Sequence, residues 1–192
     1  MKKILLATLL AALTVSSAAL AAPLKNPQAG DLKANLNYGF SQKEGDHDAG
    51  SRFTGGDVTY MLSNRWGVQY NNNYTKRDEH HRINEHSLVG DYHFSPYLSA
   101  YGGATYVKTH TYNDKSSYGY QVGLKGQIPL AERWQGFASL GVGDDVDTYE
   151  VGVGYDITPE WDAHIKYRRS SVDVDNYDDD VKGWQIGMGY KF

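Results

Sequence analysis

The chain has 192 residues, 19 Lys and Arg against 23 Asp and Glu, a formal net charge of −4 and no Cys. Without Cys there are no disulfides and no thiolate metal sites, and the acidic balance argues against a nucleic-acid partner. The 16 Tyr and 21 Gly suit strands that are apolar on one face only, and the length suits one domain.

Residues 1–21 read as a secretory signal peptide. Met1-Lys2-Lys3 is a charged start, Ile4 to Val15 is apolar, and Ala19-Leu20-Ala21 is an A-x-A-like cleavage site. Cleavage is expected near Ala21. No later stretch holds the roughly 18 apolar residues of a spanning helix, so the exported chain is either soluble in the periplasm or a barrel. Residues 22–30 are expected as a short N-terminal periplasmic segment, and residues 31–192 as the barrel.

Strands of period two are predicted at 31–42, 52–62, 66–76, 85–95, 97–108, 117–128, 133–143, 147–157, 161–170 and 183–192. Each is near the 9–11 residues of a tilted spanning strand. Gly55-Gly56 and Gly102-Gly103 weaken two of them, which leaves eight strands as the alternative to ten. Leu62-Ser-Asn-Arg-Trp66, Phe94-Ser-Pro-Tyr-Leu98, Leu130-Ala-Glu-Arg-Trp134 and Ile157-Thr-Pro-Glu-Trp161 repeat one short-turn pattern. Barrels keep short turns on the periplasmic side and longer loops outside. Trp66, Trp134 and Trp161 then join Tyr60, Tyr92, Tyr155 and Tyr190 in an inner aromatic girdle. Tyr38, Tyr74, Tyr106, Tyr118, Tyr149 and Tyr167 form the outer one. The fold class is an all-β, transmembrane, antiparallel up-and-down barrel.

Strand parity sends Lys33, Asp57, Glu85, Asp91, His93, Lys125, Glu150, Asp156, Asp162, His164, Lys166, Arg168 and Lys191 into the lumen. Buried charges must be paired or hydrated, so this near-balanced set either fills the barrel or lines an aqueous path. Many inward positions are Gly, including Gly67, Gly123, Gly141, Gly152 and Gly187. They either relieve crowding in a small barrel or keep a narrow path open. Outer loops are expected at 43–51, 77–84, 109–116, 144–146 and 171–182. Near them Lys76, Arg77, Arg82, Lys108, Lys115, Arg168 and Arg169 form a cationic rim suited to lipopolysaccharide phosphates. Acidic runs such as Asp144-Asp145 and Asp178-Asp179-Asp180 lack the spacing of a calcium loop, and no metal site or cofactor is expected.

Enzymatic trios are weak. Asp145, Asp179 and His81 can be assembled from acidic loops by chance. His86 and Ser87 are neighbours on one strand and point to opposite faces.

Gln185, Gly187, Tyr190 and Phe192 end the chain on alternating polar or glycine and aromatic residues. This tail resembles the insertion signal read by the barrel-assembly machinery. With Gly152-Val-Gly-Tyr-Asp-Ile-Thr-Pro-Glu-Trp161 and Ile165-Lys-Tyr-Arg168, the chain resembles the small Gram-negative outer-membrane barrels of the OmpA transmembrane-domain, OmpX and opacity-like superfamily. The resemblance implies an outer-membrane location, outer-membrane lipid as surroundings, and adhesion, envelope stabilisation or weak channel activity. Ten strands and modest loops depart from those eight-stranded adhesins. The leading expectation is a monomeric, non-enzymatic barrel with a structural or surface-interaction role, its loops open to an extracellular ligand. A narrow, weakly selective porin is second and an outer-membrane enzyme a distant third.

Overall fold

The computed structural model describes residues 23–24, 26–110, 114–174 and 177–192. The expected signal peptide lies outside these residues. Ten strands follow in chain order: β1 (Leu32–Glu44), β2 (His47–Met61), β3 (Trp66–Lys76), β4 (Arg82–Ser95), β5 (Leu98–His110), β6 (Lys115–Pro129), β7 (Trp134–Gly143), β8 (Val146–Asp156), β9 (Trp161–Val174) and β10 (Tyr177–Lys191). Each pairs antiparallel with its sequence neighbours, and β10 pairs with β1 to close the barrel. Closure removes the exposed edges an open sheet would carry. The ten-strand count stands and the eight-strand alternative falls.

At the end bearing Asp31 and Phe192, here the inner end, one turn geometry recurs. Leu62, Leu130 and Ile157 donate their amides to the carbonyls of Trp66, Trp134 and Trp161 at 2.8, 2.9 and 2.9 Å. Ser63 and Thr158 accept a further amide from the same Trp66 and Trp161, both at 3.0 Å. A hydroxyl two or three residues before an amide makes this local turn favourable. The Trp rings then pack across the ladder on Tyr92, Tyr155 and Tyr190, with centroids 4.7 to 4.8 Å apart and ring planes tilted by 52–58°. These tilted aromatic contacts fix the inner girdle.

The Gly55-Gly56 doubt resolves as an irregularity within β2. Gly55 has φ +112, and the β1–β2 register shifts beside its partner, between Asn37 and Tyr38. Only glycine takes that backbone readily, and a bulge of this kind bends the strand without ending it. At the opposite, outer end the strands run further than their sequence suggests. Most of 43–51, 82–84, 109–110, 115–116 and 177–182 is strand, and the outer hairpins extend to Glu44↔His47, Lys76↔Arg82, Thr109↔Lys115 and Tyr177↔Val174. Asp, Gly and Ser there look like loop composition. The two arms of each hairpin nevertheless satisfy one another's backbone groups, which outweighs weak strand propensity.

Candidate functional site

Parity along the strands decides which side chains meet inside the barrel. Lys33, Asp57, Glu85, Asp91, Glu150, Asp162, His164, Lys166 and Arg168 are buried there, and Lys125 nearly so. His93, Asp156 and Lys191 lie at the half-open inner mouth. Lys191 Nζ stands 2.8 Å from Asp31.

Two polar chains cross the interior. In the first, Lys125 Nζ donates to Asp91 at 2.6 Å and to Gln69 Oε1 at 2.5 Å. Gln69 in turn donates to Asp57 at 3.1 Å, which also accepts from Asn35 at 2.9 Å. In the second, Arg168 grips Glu85 through Nη2 at 2.6 Å and Nη1 at 3.4 Å. Its Nε is 3.2 Å from Glu150 but off the hydrogen-bond direction, while Lys166 donates to Glu150 at 3.3 Å. Two cations and two carboxylates thus form a neutral buried foursome, the arrangement in which burial of charge is tolerable. Nearer the inner end Lys33 pairs with Asp162 at 2.6 Å, and His164 bonds Asn37 at 2.7 Å.

Gln69, Asn35, Asn37 and Tyr101 belong to this interior, and the sequence reading left them out because it tracked charge alone. The same parity would have found them.

The inward glycines are covered by neighbours. A Cβ on Gly123 would press on the Leu140 carbonyl and stand 2.5 Å from the Tyr101 ring, and one on Gly152 would meet Phe137 at 2.5 Å and both Lys166 and the Ile165 carbonyl at 2.7 Å. Gly187 faces His164 and Asn37, and Gly67 faces Met61. The glycines therefore make room for large side chains from adjacent strands. Overpacking a filled interior costs about 1–3 kcal/mol. Gly123→Val is expected to lower barrel stability by that amount in urea unfolding, and Gly126→Val, where an added Cβ meets only one carbonyl at 3.9 Å, by much less.

Apolar groups occupy both ends. At the inner mouth Leu24 is buried, and its carbonyl accepts from Gln127 at 3.0 Å. Phe137 is buried close by, in the same lining as Leu24. At the outer end Ile83, Val107, Val146, Val172, Val174 and Val181 form a buried cluster. Two small cavities inside the barrel share Lys125 and Glu150 in their walls, and a larger open pocket lined by Leu24, Lys33, Gln135, Asp156, Asp162 and Lys191 lies at the inner mouth. The outer cluster escapes sequence reading because five of its six members fall in stretches that look like loops.

The rim residues separate. Lys76, Arg82 and Lys108 face outward on adjacent strands, in register with one another or with close neighbours (Lys76↔Arg82↔His110, Asn84↔Lys108). Arg77 bends toward the mouth, 3.7 Å from the buried Glu44. Arg169 is outward but held by Asp180 at 2.5 Å. Arg168, placed by sequence both in the lumen and on the rim, is inside only, because β9 parity turns it in. Asp78 in the β3–β4 turn is held below the usual carboxylate range, first by its bond from His81. That bond takes His81, and Asp145 accepts from Ser117 at 3.0 Å. His86 and Ser87 do face opposite sides, bonding Tyr70 and Asn71 respectively. In the C-terminal tail Gln185 is buried inside, Gly187 faces inward, and Tyr190 packs on Phe192 at 4.6 Å at the barrel's lower edge.

The family model for the outer membrane protein beta-barrel domain matches residues 6–192. No curated protein sequence matches the chain. Among solved structures, the translocator domain of autotransporter NalP from Neisseria meningitidis is similar at TM-score 0.53 and 12% identity, covering 100% of this chain and 96% of that one. Ail, the attachment invasion locus protein of Yersinia pestis, matches at 20% identity and TM-score 0.42, with 86% of this chain and 100% of that one covered. The N-terminal β-barrel domain of Pseudomonas aeruginosa OprF matches at 13% identity and TM-score 0.41, with 86% and 100% covered.

Proposed function

The chain belongs to the outer membrane protein β-barrel family, and from that premise we propose that it is a closed structural scaffold that presents its outer end for interaction. The observation that carries this reading is the filling of the interior at three levels. Leu24 and Phe137 occupy the inner mouth, the Arg168–Glu85–Glu150–Lys166 foursome the middle, and the Ile83–Val181 cluster the outer end. An ion entering such a lumen meets apolar constrictions that dewet and a neutral salt-bridged layer that must break before it passes.

The runner-up is a narrow, weakly selective channel. It is supported by the polar linings of the two interior cavities and by the mixed charges between them. Planar-bilayer recording of the refolded mature protein, with a heat-modifiability gel proving it folded, separates the two. A folded and silent barrel is expected. Discrete openings whose reversal potential moves in Lys125→Gln or Lys166→Gln would replace the scaffold with a small porin.

A further inference from the structure

At the open mouth of a barrel the first inward side chain of each strand is expected to touch water. Here four of them do not. Lys33, Ser99, Gln135 and Asp162 are each the second residue of their strand, on β1, β5, β7 and β9, one step inside the inner end. All four are only 3–6% exposed. Their cover is the chain ahead of β1.

Residues 23–24 and 26–31 cross the inner mouth from one side of the ring to the other. On the near side the Asp31 carbonyl accepts the Met61 amide at 2.9 Å, and Gly30 donates to the Met61 carbonyl at 2.8 Å. Ala29 donates to Asn64 Oδ1 at 3.0 Å, which fixes the segment on the β2–β3 turn. Two left-handed residues, Asn26 (φ +45) and Gly30 (φ +90), let the backbone turn flat across the opening. Pro27 is buried, and Asn26 lies beside Pro96 and Tyr97 of the β4–β5 turn. Leu24 reaches β6, which stands across the ring from β1. There Gln127 Nε2 donates both to the Leu24 carbonyl at 3.0 Å and to the Pro96 carbonyl at 2.6 Å, clipping the segment to the turn. Pro23 and Leu24 stand in the walls of two spaces. One is the open pocket at the mouth, about 460 Å³, and the other is the inner cavity beyond, about 50 Å³, with Ser99 and Lys125 in its lining.

We propose that residues 23–31 are a strap that closes the inner mouth, with Leu24 as a stopper that lifts while the barrel stays folded. The described residues from 23 to 30 belong to no strand. They are held by a few hydrogen bonds and two buried apolar side chains, whereas every residue beneath them sits in a closed ladder. A segment so attached opens at a far smaller cost than the barrel unfolds. Lifting Leu24 joins the two spaces and opens a polar vestibule, lined by Lys33, Ser99 and Lys125, to the inner side. The proposal deepens the closed-scaffold reading, on which it rests, by making the innermost filling movable and leaving the salt-bridged foursome and the outer cluster fixed.

Thiol accessibility tests the strap cleanly, because the chain has no Cys. In the refolded mature protein, Ser99→Cys is expected to react with a charged methanethiosulfonate reagent at least about 100-fold more slowly than free cysteine. Leu24→Ser should speed that reaction about 10–100-fold, the effect of losing a buried leucine. Gln127→Ala should speed it about 3–10-fold through the lost clip. Thr148→Cys, in the wall of the outer cavity, should stay slow in every background, and heat modifiability should persist. A Ser99→Cys thiol unprotected in the parent, or one that either substitution leaves as slow as before, overturns the strap. Equal acceleration at Thr148→Cys overturns it too, since the whole barrel would then have loosened. Planar-bilayer recording judges the scaffold reading separately. A conducting barrel in which Leu24→Ser still speeds Ser99→Cys alone loses the scaffold and keeps the strap.

Discussion

Replacing Arg168 by Met is expected to cost about 3–5 kcal/mol of barrel stability, the usual consequence of stranding a buried charge. Arg168 is the sole cation bridging both carboxylates of the foursome, at 2.6 Å from Glu85 and 3.2 Å from Glu150. The two acids are not equally exposed to its loss. Glu150 keeps Lys166 at 3.3 Å, whereas among the described residues Glu85 keeps only neutral donors, Asn73 at 3.1 Å and Ser170 at 3.3 Å. Removing the second charge should therefore repair the first change. Arg168→Met with Glu85→Gln is expected to regain more than half of the lost stability, and Arg168→Met with Glu150→Gln less, since that pairing strands Lys166 as well. Urea unfolding of the refolded barrel, followed by Trp fluorescence, reads both. A cost below about 1 kcal/mol for Arg168→Met, the range of a solvated ion pair, means that water reaches these groups, and the channel reading gains.

Most of this architecture is legible in the sequence because a barrel strand has a simple code. Lys166 and Arg168 alternate with Ile165 and Tyr167, and the period of two alone sends the first pair inside and the second to lipid. The repeated Leu-Ser-Asn-Arg-Trp type of turn sets the register of each hairpin in the same way. Two things are hidden from this code. Pairing partners are one: Glu85 and Arg168 are 83 residues apart, and parity says that both face inward without saying that they meet. The extent of the strands is the other. Val172 and Val174 sit among Ser, Asp and Asn, where composition reads as loop, yet hairpin pairing continues the strand and turns both inward. Once those positions are read as strand, the apolar cluster at the outer end follows from the same alternation.

Val172→Asp should open the outer end while leaving the membrane-spanning part folded. Val172 is fully buried among Ile83, Val107, Val146, Val174 and Val181, and its β10 register partner is Asp179. A carboxylate there loses its hydration and faces another carboxylate, so the outer cluster can keep its packing only at a cost of several kcal/mol. The cheaper response is local. The strands above Tyr167 and Trp184, whose rings pack edge to face at 5.4 Å, have a small core of their own, and separable cores open sub-globally. Below those rings the salt-bridged foursome and the girdles are untouched. Limited trypsin digestion is expected to cut the variant at Arg82, Lys115, Arg169 or Lys182 at least about 100-fold faster than the parent, the factor for an opening made easier by roughly 3 kcal/mol. Heat modifiability should persist, because the remaining barrel still resists unfolding. Unchanged digestion would mean that the valines do not form a packed core. Loss of heat modifiability would mean that the outer and membrane parts fold as one cooperative unit, and that the outer end cannot adapt to a partner independently of the barrel.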